Sequence, residues 1–198
     1  MRLTISDPHH TSRPGVSSSD LQLYTAVQMV VGGAESRGRR LSDVLNDPGV
    51  SVLTLRDAML YDLLEQKGPS AQMDRAALRK TAVQLAVPSD PLDILRPRVP
   101  TQLIPIEIAT SFFRLQGSLH RTASDPSNVD HFISGHNRRF IALSNATIRC
   151  LPNPQFDVTA ATVLVNTEQV LCWWTGSASG ATNTGINEPR EPEYVGRD

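Results

Sequence analysis

The run from Leu41 to Ala58 is answered without a gap by Val129 to Ala146, and this duplication restricts the possible folds more than any other feature. In the first copy, Leu41-Ser42-Asp43-Val44-Leu45-Asn46 leads through Asp47-Pro48-Gly49 into Val52-Leu53-Thr54-Leu55-Arg56-Asp57-Ala58. In the second, Val129-Asp130-His131-Phe132-Ile133-Ser134 leads through Gly135-His136-Asn137 into Phe140-Ile141-Ala142-Leu143-Ser144-Asn145-Ala146. Upstream, Leu23, Thr25, Val27, Val30 and Gly32 answer to Ile108, Thr110, Phe112, Leu115 and Gly117; downstream, Lys80-Thr81 and Leu85 answer to Asn166-Thr167 and Leu171.

The copies correct each other's secondary structure. Thr54 to Lys67 and Met73 to Ala86 carry helix-favouring residues, and propensity alone assigns both to helix. Their counterparts do not permit it. Ala146 to Pro152 meets a proline early, and Thr162 to Trp174 is a β-branched run, so both first-copy segments are expected as strands. Ser42-Asp43 supplies a cap, Val44-Leu45 an apolar pair and Pro48-Gly49 a stop for one helical turn; Asp130, Phe132-Ile133 and Gly135 do the same in the second copy. Gly32 is expected to let the strand before it bend or bulge. The fold class that follows is mainly β: two tandem small bent-sheet or barrel-like domains, each a long strand, a loop, a helical turn and about three more strands, packed as a pseudo-twofold pair.

Composition sets the boundaries. Residues 1–19 are rich in Ser, Pro and His without periodicity and read as a flexible arm; 20–88 hold the first copy. Residues 89–105, punctuated by prolines, form a linker with enough apolar side chains to pack; 106–174 hold the second copy, and 175–198 read as a flexible tail. Copies of roughly 70 residues sit near the lower limit for independent stability, so they are expected to pack on each other. The formal net charge of -1 gives no general pull toward nucleic acid or anionic membranes. No apolar leader and no stretch of membrane-spanning length is read in the sequence, and a cytoplasmic location is expected. Cys150 and Cys172 do not make a disulfide framework, although their strands are candidates for neighbours.

Few residues suggest chemistry. His120, His131 and His136 fall close together but lack cysteine partners and helical ligand spacing, so no metal site is assigned. Gly176-Ser177-Ala178-Ser179-Gly180 lacks the central serine of a nucleophile elbow, and Gly32-Gly33 with Gly38 fits no dinucleotide or phosphate loop. No catalytic residue and no cofactor is therefore expected. Arg37, Arg39, Arg40, Arg138 and Arg139 form two basic clusters that suit anion recognition, and Trp173-Trp174 supplies the best candidate for a partner contact, one indole directed inward and the other outward.

Arg40-Leu41-Ser42-Asp43-Val44-Leu45-Asn46, followed by a strand ending Leu55-Arg56-Asp57-Ala58, resembles a family of short uncharacterised bacterial β-domains. The second copy is similar but has lost the Arg-Leu-Ser-Asp letters. The resemblance implies a bacterial source and no transferable activity. The expected function is a non-enzymatic scaffold or accessory subunit that binds protein partners, or itself as a homo-oligomer, through domain edges and tails. The alternative is an anion- or nucleotide-sensing or RNA-binding regulatory module built on the arginines; the charge balance and scarcity of aromatic residues argue against nucleic acid.

Overall fold

A computed structural model describes residues 18–35, 39–65, 68–89, 101–135 and 138–176, with only the backbone for 18–20. Ten strands, β1 (Ser18–Tyr24), β2 (Gln28–Glu35), β3 (Val52–Asp62), β4 (Ala71–Arg79), β5 (Leu85–Pro88), β6 (Thr101–Thr110), β7 (Phe113–Thr122), β8 (Phe140–Cys150), β9 (Val158–Asn166) and β10 (Val170–Thr175), form one antiparallel sheet. Its order is β10-β6-β7-β8-β9-β5-β1-β2-β3-β4, and it is not closed. Helix α1 (Leu41–Asn46) connects β2 to β3, and α2 (Val129–Ser134) connects β7 to β8. A 3-10 turn precedes the last strand of each half, at Lys80–Ala82 and Thr167–Gln169. The element order of the first five strands thus recurs in the last five.

The deceptive helical segments lie mostly in strands, the first in β3 and the second in β4, the Lys80–Ala82 turn and the start of β5, where packing overrides propensity. The expected single long strand ahead of each helix is instead a hairpin, turned by a threonine. Thr25 N–H donates to Gln28 O (2.8 Å) and Gln28 N–H to Thr25 Oγ1 (3.1 Å). In the other half, Phe113 N–H donates to Thr110 Oγ1 at 3.1 Å. The hydroxyl replaces a backbone partner and reverses the chain.

Gly32 and Gly117 mark the same irregularity: β2 shifts register against β3 between Val31 and Gly33, and β7 against β8 between Gln116 and Ser118. Opposite them, Asp57 (φ 49°) and Asn145 (φ 50°) are left-handed, the conformation that Asp and Asn tolerate among non-glycines. A Cβ on Gly32 would meet Arg56 O at 2.7 Å, so the strands approach there only because the position lacks a side chain; one on Gly117 would meet Ser144 O at 3.1 Å, a tight but less severe contact.

Both helices start earlier than the Ser42-Asp43 and Asp130 caps imply. Arg40 occupies the cap of α1 without a side-chain bond, and Asn128 caps α2, its Oδ1 accepting from Asp130 N–H at 2.7 Å. In α1 the buried residues are Leu41 and Leu45, with Val44 of the expected Val44-Leu45 pair only half-buried; in α2 the expected Phe132 and Ile133 are buried. These pairs plug opposite cores, as expected of an amphipathic turn.

The two halves do not form separate sheets. β5 pairs with β1 on one side (Leu23↔Ala86, Tyr24↔Leu85) and with β9 on the other (Leu85↔Val165, Ala86↔Leu164). With neighbours on both edges and cores on both faces, Leu85, Ala86 and Val87 are fully enclosed, which explains an uninterrupted apolar run. The faces cross over: Tyr24, Leu63, Leu85 and Val87 pack into the core of the second half, whereas Phe140 and Leu164 pack into that of the first. Tyr24 meets Phe113 edge-to-face at 5.7 Å. Each such side chain contributes about 1.5–3 kcal/mol of burial, so this joint is a structural core. A closed twofold pair would also join β4 to β10, but these strands stand at opposite ends of the sheet.

The expected linker is shorter than 89–105, because Thr101–Pro105 already belong to β6. They pair with β7 alone, β10 reaching only to Ile106, so Pro105 lies in an edge segment where proline is tolerated. Residues 90–100, and nearly all of the expected arm and tail, lie outside the described residues.

Candidate functional site

Where the halves meet, α1 and the Lys80 turn face the α2–β8 connection and the Thr167 turn across a cleft of about 470 Å³. Asn46 builds its floor: its Nδ2 donates to Phe140 O (3.0 Å) and Ser42 O (3.0 Å), and its Oδ1 accepts from Phe140 N–H (2.8 Å). The amide therefore acts as a one-residue strand partner for Phe140. On the other side of the joint, Asn166 Nδ2 donates to Val83 O at 2.7 Å and Thr110 Oγ1 to Gln84 Oε1 at 2.9 Å. These polar residues are satisfied across the joint, which fixes its register. Sequence reasoning missed Asn46 and Lys80; the second copy has Ser134 where the first has Asn46, so comparison of the copies gave no signal for it.

The basic residues of the cleft are held by internal partners, the two arginines by carboxylates. Lys80, buried on the first half, donates to Asp47 O at 2.6 Å. Burial pushes its ammonium below the ordinary lysine value; Arg139 adds repulsion, which Asp47 and Glu168 oppose. Arg139 pairs with Glu168 (2.8 Å), and Arg138 with Asp125 (3.3 Å). Arg39 pairs with Asp47 (2.8 Å), whose carboxyl is held below the usual range first by Gly49 N–H and then by Arg39. Arg138 and Arg139 line the cleft, whereas Arg39 lines a separate groove beside α1 and β3. Arg40 stands at the helix cap, where its carbonyl accepts from Val44 N–H, and Arg37 lies outside the described residues. The structure thus brings together two of the five candidate arginines and adds Lys80.

Trp173 and Trp174 occupy the last strand, at one end of the sheet, and both are half-buried. Trp173 packs on the core of the second half and donates Nε1–H to Asp130 Oδ1 at 2.8 Å. The indole directed the other way is Trp174, following strand alternation. At the opposite end, β4 presents Gln72, Asp74, Arg75, Ala77 and Arg79 to solvent.

His120 and His131 are not brought together as ligands: His131 is exposed on α2 and His136 lies outside the described residues. No group of three or more metal-ligating side chains forms among the described residues. His120 is partly buried on β7, its Nδ1 3.4 Å from Thr101 Oγ1 and its Nε2 without a partner, and burial holds its imidazole below the ordinary histidine value. Cys150 and Cys172 do not touch. Cys150 is buried on β8 and Cys172 exposed on β10, with β6 and β7 between those strands. Among the described residues, no helix is long and apolar enough to cross a membrane. No protein-family model, curated protein or solved structure matches the chain.

Proposed function

We propose that this protein is a non-enzymatic scaffold or accessory subunit that binds protein partners, or further copies of itself, through the edges of its sheet. In this reading the chain is two tandem small β-domains, joined one-sidedly through β5 and β9. The observation that carries it is the open ten-stranded sheet, whose end strands β4 and β10 each have a neighbour on one side only among the described residues. An unpaired strand edge is a row of oriented donors and acceptors, and adding a strand to it is a standard route to protein association. Trp174 beside the β10 edge adds the kind of side chain that anchors such contacts.

Ala77→Pro tests the reading. Ala77 is exposed on β4 and its counterpart in the ladder, Leu164, pairs outward with Ala86, so the substitution removes an edge donor and spares the β3–β4 bonds. The expected result is loss of self-association by light scattering, or of capture of a defined partner, with unchanged circular dichroism. Association that survives Ala77→Pro and an equivalent block on β10 would refute edge docking.

A second reading, anion sensing, is favoured by the cleft that gathers Lys80, Arg138 and Arg139. It requires an anion to displace Glu168 and Asp125 from the arginines. Inorganic phosphate or a nucleotide would then raise the melting temperature of the wild type and leave Arg138→Ala/Arg139→Ala unchanged; no shift in the wild type would dismiss it.

A further inference from the structure

We propose that β10 of one molecule adds to β4 of a second copy of this chain, in the register that joins β5 to β9 inside each molecule. This rests on the edge-docking reading and names its occupant.

The two ends of the sheet are the two sides of a joint that the molecule already contains. β10 stands to β6 as β5 stands to β1: Trp173 pairs with Ile108 as Ala86 pairs with Leu23, and Cys172 pairs with Ala109 as Leu85 pairs with Tyr24. β4 stands to β3 as β9 stands to β8: Leu78 pairs with Leu53 as Val165 pairs with Ile141, and Ala77 pairs with Thr54 as Leu164 pairs with Ala142. The internal pairs Leu85↔Val165 and Ala86↔Leu164 therefore transpose to Cys172↔Leu78 and Trp173↔Ala77 between molecules. This alignment places Lys80 opposite Thr167 and Leu85 opposite Cys172, one residue from the match read by sequence alone.

Exposure supplies an independent indication. Side chains buried by the internal joint have exposed counterparts at the ends of the sheet. Leu63 is 0 % exposed and its counterpart Leu151 is 51 % exposed; Phe140 is 1 % exposed and its counterpart Val52 is 45 % exposed. Leu85, buried, corresponds to Cys172, exposed, on the other side of the same contact. The faces also agree. Cys172 and Trp174 occupy the positions of Leu85 and Val87, which enter the core of the neighbouring half, so in the assembly they cover the α1 core of the next molecule beside Leu78. A contact between two different edges is heterologous, and its repetition closes a ring or extends a filament. β4 carries Asp74, Arg75 and Arg79 where β9 carries Ala161, Thr162 and Asn166, so the open joint is the more polar and more easily reversed version.

The hydrogen bond from Asn166 N–H to Gln84 O (2.9 Å) makes Leu85↔Val165 the adjacent, non-hydrogen-bonded kind of pair, in which side chains approach most closely. Leu78→Cys thus sets a new thiol opposite native Cys172 of another copy. Under mild oxidation the full-length variant is expected to give a ladder of disulfide-linked multimers on a non-reducing gel, abolished by dithiothreitol and by Cys172→Ser. Ala77→Cys should cross-link about tenfold more slowly, because its side chain points to the opposite face. Because Leu78 is half-buried, Arg79→Cys/Leu171→Cys in a Cys172→Ser background, treated with a short bis-maleimide, repeats the test with two exposed positions. A ladder from either pair supports the register. Absence of cross-links from both, or cross-links that persist without the β10 thiol, overturns it, and the charges on β4 then act as blocks to pairing. If neither pair cross-links while Ala77→Pro still abolishes capture of a defined protein, self-assembly falls and the scaffold reading stands; if Ala77→Pro also has no effect, both fall.

Discussion

Replacing Asn46 with Ala should loosen the joint between the halves by an amount that follows from its bonds. The substitution removes the donor to Phe140 O, the acceptor for Phe140 N–H and the bond to Ser42 O. Phe140 is itself buried and pairs with Asn166 on its other side, so its two backbone groups have no ready protein replacement. Each lost bond is worth about 1 kcal/mol when water replaces the partner and ~1–3 kcal/mol when the group stays dry. Asn46 borders the open cleft, so water reaches part of the site and the total falls near the lower limit, about 2–3 kcal/mol. For a chain of this size that corresponds to a fall in melting temperature of roughly 4–12 °C. Asn46→Asp keeps an acceptor for Phe140 N–H but turns a carboxylate oxygen toward Phe140 O and Ser42 O, and should destabilise at least as much. Urea unfolding followed by circular dichroism measures both variants, and a lower slope with denaturant in Asn46→Ala would show the halves unfolding separately. A change below about 0.5 kcal/mol, the range of an ordinary surface substitution, would refute the role assigned to Asn46.

Gly32→Ala should cost ~1–3 kcal/mol through the 2.7 Å approach to Arg56 O, and Gly117→Ala less, because its nearest atom lies at 3.1 Å; urea midpoints that rank the pair the other way would contradict the close-approach explanation. His120 binds its proton less readily folded than unfolded, so its contribution to stability is complete above the unfolded value of 6.5 and is lost as pH falls through the lower folded value. Melting temperatures between pH 7 and 5 should accordingly decline less steeply in His120→Leu than in the wild type, and parallel slopes would rule the histidine out. Asp47 has a lowered folded value, so its stabilisation is present above its unfolded value of 3.8 and is lost on further acidification; Asp47→Asn should remove that part of the acid transition, as read by tryptophan fluorescence.

Comparison of the copies made much of the β content legible. Pro152 and the β-branched run from Thr162 ruled out helices that residues 54–67 and 73–86 favour on their own. Both short helices were also visible, but their caps were not: Arg40 and Asn128 hold positions that sequence assigned to Ser42-Asp43 and Asp130. The hairpin turns at Thr25 and Thr110 were hidden because one hydroxyl does the work of a longer polar loop. The joint was hidden for a different reason. Leu85-Ala86-Val87 reads as a buried strand wherever its partner comes from, and only the fold reveals that the partner is β9 of the other half. The individual partners of the arginine clusters were not legible, because Asp125 and Glu168, which pair with Arg138 and Arg139, lie outside the Arg138-Arg139 segment.

Amide hydrogen exchange at the two sheet ends tests the proposed head-to-tail addition most directly. In each molecule Ala86 and Leu164 pair across the internal joint, and Trp173 and Ala77 are their counterparts at the ends of the sheet. At concentrations where the full-length chain associates, the amides of Trp173 and Ala77 are expected to become protected together, toward the level of Ala86 and Leu164, and to lose that protection on dilution or in Ala77→Pro at Trp173. Exchange at unprotected rates at both positions at every concentration, with Ala86 and Leu164 protected throughout, would contradict it.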